Sequence, residues 1–214
     1  MMTPGHPLSR RRMVAGTAAS LAVAAAAGSA WAALLPTPRQ TTGPFYPRTK
    51  PLESDNDLVA VAGRPERAKG TILHLGGRVL DPEGRPVRHA RVEIWQCDAF
   101  GRYHHPRDGG GADPNFQGFG ETITDGDGVY RFRTIRPVRY TGRTPHIHFA
   151  VSGGGFDRLT TQMYVAGEPS NAHDSILNSV RDPKARAALI IALAPAPEME
   201  PGALAGLFDI VLSG

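Results

Sequence analysis

His146-Ile147-His148 sets two imidazoles two residues apart, and in a β-strand residues two apart lie on one face. Ile147, Phe149 and Val151 then turn towards a core while His146 and His148 project together. Two imidazoles on one strand face commonly hold a transition metal. The competing reading is an exposed or hydrogen-bonded pair, because His-x-His also arises by chance. Further donors stand nearby in the chain: Tyr103 in Gly101-Arg102-Tyr103-His104, Tyr140 at the end of Thr134–Tyr140, then Arg143. Gln162 follows in Leu159–Tyr164.

These segments in this order resemble the intradiol ring-cleavage dioxygenases, the family of catechol and protocatechuate dioxygenases. The blocks that carry the resemblance are Val92–Tyr103, Tyr130–Tyr140, Arg143–Phe149 and Leu159–Tyr164, with Thr42-Gly43-Pro44-Phe45-Tyr46 as a weaker N-terminal match. The resemblance implies that Tyr103, Tyr140, His146 and His148 bind one non-haem Fe(III) per chain. Phenolates are hard, anionic oxygen donors, and two of them with two imidazoles favour ferric over ferrous iron. A tyrosine that titrates near 10 in water must be deprotonated by the cation it binds. A 2-His-1-carboxylate set would suit Fe(II) instead, and no Asp or Glu adjoins this His pair in sequence.

In the family, the first Tyr and first His (Tyr103 and His146) are equatorial, and Tyr140 and His148 are axial. The resemblance implies a small aromatic diol and O2 as substrates. The diol displaces the axial tyrosinate, and oxygen enters between the two hydroxylated carbons to give a muconate-type diacid. Arg143 matches the family's active-site arginine, which would stabilise negative charge developing on the ring, and Gln162 matches a neighbouring glutamine. Two departures concern substrate and assembly. The five residues between Tyr140 and His146 are fewer than in the protocatechuate enzymes. Residues 33–70 are too short and Pro-rich for the helical dimerisation region of the catechol enzymes, which leaves self-association open.

The elements that must position these side chains are short. Gly 25 and Pro 19 in 214 residues favour frequent turns. Strand-like runs cover Thr71–Leu80, Val87–Cys97, Gly120–Thr124, Val129–Ile135, Pro145–Val151, Leu159–Val165 and Leu207–Leu212. Asp125-Gly126-Asp127-Gly128 reads as a hairpin turn, and Ser170–Val180 and Pro183–Leu189 as short helical turns. The expectation is an all-β, antiparallel β-sandwich with long irregular loops. Its catalytic domain would span residues 71–214, behind an irregular Pro-rich arm at 33–70.

Composition narrows the function classes. The net charge of +4 comes largely from Arg10, Arg11 and Arg12. Residues 33–214 carry 21 basic against 20 acidic groups, so nothing general attracts nucleic acid or anionic lipid. One cysteine, Cys97, excludes an internal disulfide and any cysteine-built metal site; it reads as a buried small side chain. His104 and His105 read as loop residues rather than ligands. Ser9-Arg10-Arg11-Arg12, the uncharged Ala15–Ala27 stretch and Ala30-Trp31-Ala32 form an export signal of twin-arginine type over residues 1–32. Cleavage before Ala33 would leave a periplasmic or extracellular protein without stable membrane association. A membrane anchor is the alternative, but the apolar run is short and weak. Gly76–Val87 also resembles transthyretin-like sandwiches, so a non-catalytic ligand-binding module is the rival function. A carrier has no need of paired tyrosines and histidines.

Overall fold

The structure, a computed structural model, describes residues 33–213 apart from 52, 141 and 154. The export-signal reading of residues 1–32 therefore lies outside the described residues. The strands are β1 (Ile72–Leu80), β2 (Arg91–Trp95), β3 (Phe119–Ile123), β4 (Val129–Ile135), β5 (His146–Gly153) and β6 (Phe156–Val165). Helices α1 (Ser175–Asn178) and α2 (Pro183–Ala188) follow. Four short strands close the chain: β7 (Ile190–Ile191), β8 (Ala194–Pro195), β9 (Leu204–Leu207) and β10 (Ile210–Val211). Asp174 and Asp182 cap the two helices by accepting the first free backbone N–H groups.

Two five-stranded sheets form a sandwich. In the first, β4 runs along one edge of β1 while β9 and β10 run along the other, with β8 outside β9. The second has the order β3-β2-β5-β6-β7. The long ladders are antiparallel, as expected for the sandwich. Three short pairings, β1 with β9, β1 with β10 and β6 with β7, are parallel. The expected closing strand is split, because Phe208 and Asp209 interrupt it. Phe208 N–H donates to Gly76 O, and Asp209 Oδ1 accepts Arg78 N–H. Gly77 is required there, since a Cβ would lie 2.1 Å from Phe208 O.

One expectation is corrected. β3 and β4 do not form a hairpin, because β3 pairs with β2 and β4 pairs with β1. The Asp125–Gly128 turn instead carries the chain between sheets. Its own chemistry is as read, with Asp125 Oδ1 accepting the N–H groups of Asp127 and Val129. The Thr124 hydroxyl accepts from Ala90 N–H and donates to Val87 O, which ties the end of β3 to the segment leading into β2.

The core between the sheets takes Leu73, Leu75 and Val79 from β1, Val92 and Ile94 from β2, and Tyr130 and Phe132 from β4. Ile147, Phe149 and Val151 enter it from β5 and Met163 from β6. Each fully buried large side chain contributes about 1.5–3 kcal/mol relative to exposure. That burial fixes the β5 register, because a one-residue slip would drive both histidines into the core. The irregular arm is not a loose appendage either: Leu58, Val59 and Ala68 lie in the same core.

Candidate metal centre

Alternation along β5 puts His146 and His148 on the outer face of the second sheet. The pairing register then defines their neighbours. Trp95 on β2, His148 on β5 and Gln162 on β6 lie in one row across the sheet, and Tyr164 sits beside His146. Although this is the outer face, both histidines are only 1% exposed. The arm covers them: Gln162 Nε2 donates to Thr41 O at 3.1 Å. Gly43, at φ +71°, packs so closely that a Cβ would stand 3.2 Å from His148 Cε1.

The two tyrosines come from loops that fit against each other. Asp98 Oδ1 accepts the N–H groups of Phe100 and Arg102, Asp98 Oδ2 accepts that of Asp113, and Asp108 Oδ2 accepts that of Tyr103. This hydrogen bonding fixes the bend that presents Tyr103. At Gly101 a Cβ would lie 3.0 Å from Arg139 O, so the second loop, bearing Tyr140, packs directly on the first. The Arg143 N–H donates to Tyr140 O at 2.8 Å and closes a tight turn ahead of β5. The result is a continuous chain of rings. Centroid distances are 5.1 Å for Tyr103–Tyr140, 5.4 Å for Tyr140–His146 and 4.8 Å for His146–His148. Trp95 stacks on His148 at 4.8 Å, and Phe45 stacks on Tyr103 at 4.5 Å.

Protonation is set by burial. It holds His146 down to about 4 and His148 well below the ordinary imidazole value, so both rings are neutral. It also raises the phenols of Tyr103 and Tyr140, and the positive charge of Arg143 offsets part of that rise at Tyr140. His146 Nδ1 lies 2.6 Å from Thr144 O, an acceptor only, so Nδ1 carries the proton and Nε2 keeps its lone pair. His146 Nε2 and His148 Nε2 are 3.2 Å apart. Tyr103 Oη is buried without a hydrogen-bond partner among the described residues.

These features fit a metal. Metal–imidazole bonds of about 2.0–2.1 Å put two nitrogens on neighbouring coordination positions about 3 Å apart. A buried phenol oxygen left without a partner is costly unless something else satisfies it. Among the described residues, no three His, Cys, Asp or Glu side chains cluster as a metal site, so the oxygen donors beside this pair are phenols.

Residues 41–214 match the dioxygenase family. The chain is 42% identical over 170 residues to the protocatechuate 3,4-dioxygenase beta chain of Burkholderia cepacia, a match covering 75% of this chain and 72% of that one. The chain belongs to the intradiol ring-cleavage dioxygenases. Catechol 1,2-dioxygenase of Candida albicans is 32% identical over 152 residues, 63% of this chain and 48% of that one. This intradiol dioxygenase thus spans about half the length of that relative. Among solved structures, the dioxygenase domain of a dioxygenase–carbohydrate-binding fusion from Streptomyces sp. SirexAA-E is similar, with a TM-score of 0.65 and 31% identity. That likeness covers 83% of this chain and 98% of that one.

The fold of this intradiol dioxygenase brings Tyr103, Tyr140, Arg143, His146, His148 and Gln162 into one cluster. Arg143 donates from Nη2 to Gln162 Oε1 at 2.7 Å. His104 bonds Asp113 O through Nε2, in the loop as expected. His105 lies nearer the site than its loop position suggests, buried with its ring 5.7 Å from that of Phe45. Cys97 is buried, and burial pushes its thiol up to about 12, which disqualifies it as a nucleophile.

Sequence reasoning did not single out Trp95, Phe45, Tyr164 or Asp174. Trp95 could have been found from the strand alternation that places it on the face opposite Val92 and Ile94; the other three need the tertiary fold. A groove of about 600 Å³ on the outer face of the first sheet, beside His74, Arg131, Met199 and Leu207, contains none of these residues. A smaller cavity of about 180 Å³ is walled by Phe45, Trp95, Tyr103 and Phe119.

Proposed function

We propose that this chain is a ferric-iron-dependent dioxygenase that opens the ring of a catechol-type diol between its two hydroxyl-bearing carbons. The products would be a muconate-type diacid holding both atoms of O2. The observation that carries the reading is the convergence of two neutral imidazoles and two phenols, with Nε2 atoms 3.2 Å apart and Tyr103 Oη buried without a hydrogen bond of normal geometry among the described residues. Tyr103, Tyr140, His146 and His148 would hold the iron. Bound there, ferric iron supplies Lewis acidity, holding the deprotonated diol and drawing electron density from its ring.

The protein's own groups have separable tasks. Thr144 O keeps the His146 proton on Nδ1, so that Nε2 is always the donor atom. Stacking on Trp95 fixes the plane of the His148 ring. Tyr103 is the more enclosed phenol and Tyr140 the more open, at 3% and 9% exposure. Tyr140 would therefore be the donor beside the incoming diol, its phenolate oxygen placed to accept one diol proton while the second passed to solvent. Arg143 stands beside Tyr140 and would stabilise the negative charge that develops on the substrate. Phe45, stacked on Tyr103, covers one side of the site. The relatives are named for protocatechuate and catechol.

Oxygen uptake by the iron-loaded protein with catechol, protocatechuate and hydroxyquinol, with ring-opened diacid as product, tests the reading. Iron-loaded protein inert towards every diol would favour a non-catalytic ligand carrier instead.

A further inference from the structure

The Arg143 guanidinium is held from behind by a residue outside the donor set and 31 positions away. Asp174 is buried, with none of its side chain exposed, and its two oxygens have different partners. Oδ2 accepts Arg143 Nε–H at 2.7 Å and Thr144 N–H at 3.1 Å. Oδ1 accepts the N–H groups of Ile176 and Leu177 at 3.1 and 2.9 Å, the N-cap of α1. Its contact with Arg143 Nη2 is longer, 3.4 Å.

The geometry points to Asp174 as the positioning residue of the ring-cleavage site, an inference that rests on the function proposed above. With Nε on Asp174 and Nη2 on Gln162, two edges of the guanidinium are fixed. Nη1 makes no hydrogen bond of normal geometry to the described residues, and the guanidinium lies beside the Tyr140 and Tyr164 hydroxyls. A planar fork restrained at two corners cannot swing about its side chain, and orientation of that kind is worth up to about 100-fold in rate. Asp174 also anchors Thr144 through its N–H, and Thr144 O orients His146. Thr144 is also held through its hydroxyl by Ser170 and Asn171, so the part of the site that depends on Asp174 alone is the arginine, with helix α1 as the mount.

The split between the two oxygens makes the inference testable. In Asp174→Asn the amide oxygen can still cap α1, because Asn is as good an N-cap as Asp. The amide nitrogen then faces two donors, Arg143 Nε–H and Thr144 N–H, and can accept from neither. Asp174→Asn should stay folded and keep bound iron and its colour. Its kcat should fall roughly 10- to 100-fold with KM within about threefold. In an Arg143→Ala background the same change should cost less than about threefold, because the guanidinium it positions is gone. In the iron-free protein, the Arg143 Nε–H NMR signal should lose its protection from exchange. Asp174→Ser, which keeps a capping oxygen, should behave alike and covers the case of an unfolded Asn variant. Asp182→Asn, at the cap of α2, should leave kcat unchanged.

Equal cost of Asp174→Asn in both backgrounds, an unaltered kcat, or an unaltered Nε–H signal would overturn the inference. Wild-type protein inert towards all diols would sink the proposed function and the catalytic half of this inference together. An active wild type with an unaffected Asp174→Asn sinks this inference alone.

Discussion

His146 Nε2 faces His148 Nε2 across 3.2 Å, and both rings are buried and neutral. Two lone-pair donors so placed repel unless a proton or a cation lies between them. Each of His146→Ala, His148→Ala and Tyr103→Phe removes a proposed bond to the metal, so each should lower bound iron after dialysis by at least about tenfold. His104→Ala should leave iron content unchanged, because that ring bonds Asp113 O. Iron loss from His104→Ala, with the other three intact, would contradict the assignment.

At Gly43 the arm passes so close to His148 that a Cβ would press on its ring. An alanine there meets His148 Cε1 at 3.2 Å and must also hold φ +71°, a conformation that costs about 1–2 kcal/mol for a residue with a Cβ. Gly43→Ala should lower the melting temperature and weaken iron retention together. A variant that melts lower yet holds iron as tightly as wild type would show that the arm does not brace His148.

The iron-free protein should lose stability on mild acidification. Burial depresses His146 to about 4 and His148 further, whereas both titrate near 6.5 in the unfolded chain. Below that value the unfolded state binds protons that the folded state refuses. The stability is therefore complete above about pH 6.5 and falls as pH drops towards 4, by on the order of 3 kcal/mol from His146 alone. Urea unfolding at about pH 7.5 and about pH 5 measures it. A flat profile would mean that the rings are already charged or exposed.

Residues 1–32 carry the export proposal. Arg10→Lys with Arg11→Lys should leave the protein in the cytoplasm if the twin-arginine route is used. Mass spectrometry of the exported form should find Ala33 at its N-terminus. Normal export of the double variant would exclude that route.

What the sequence made legible was local periodicity. The β5 alternation told which side of the strand the histidines occupy, and the Asp125–Gly128 run told where the chain turns. Neither carries information on which sheet the next strand joins, so β3 and β4 were expected to pair and do not. The order of Tyr103, Tyr140, Arg143 and Gln162 around the histidines pointed to one cluster. In the sequence Asp174 lies inside Ser170–Val180, which read only as a short helical turn; that it caps α1 is seen in the structure. Its hold on Arg143 exists because the turn after Tyr140 and the start of α1 are brought together by the fold. The arm gave no periodic signal at all, yet Leu58 and Val59 fill the core and Gly43 leaves no room for a Cβ beside His148.

The most direct measurement is the visible absorption spectrum of the purified protein loaded with ferric iron. Two phenolates on one Fe(III) should give one iron per chain and a red to purple charge-transfer colour that fades in Tyr103→Phe. A folded protein that takes up no iron, or that binds it without visible colour, would contradict the four-donor centre.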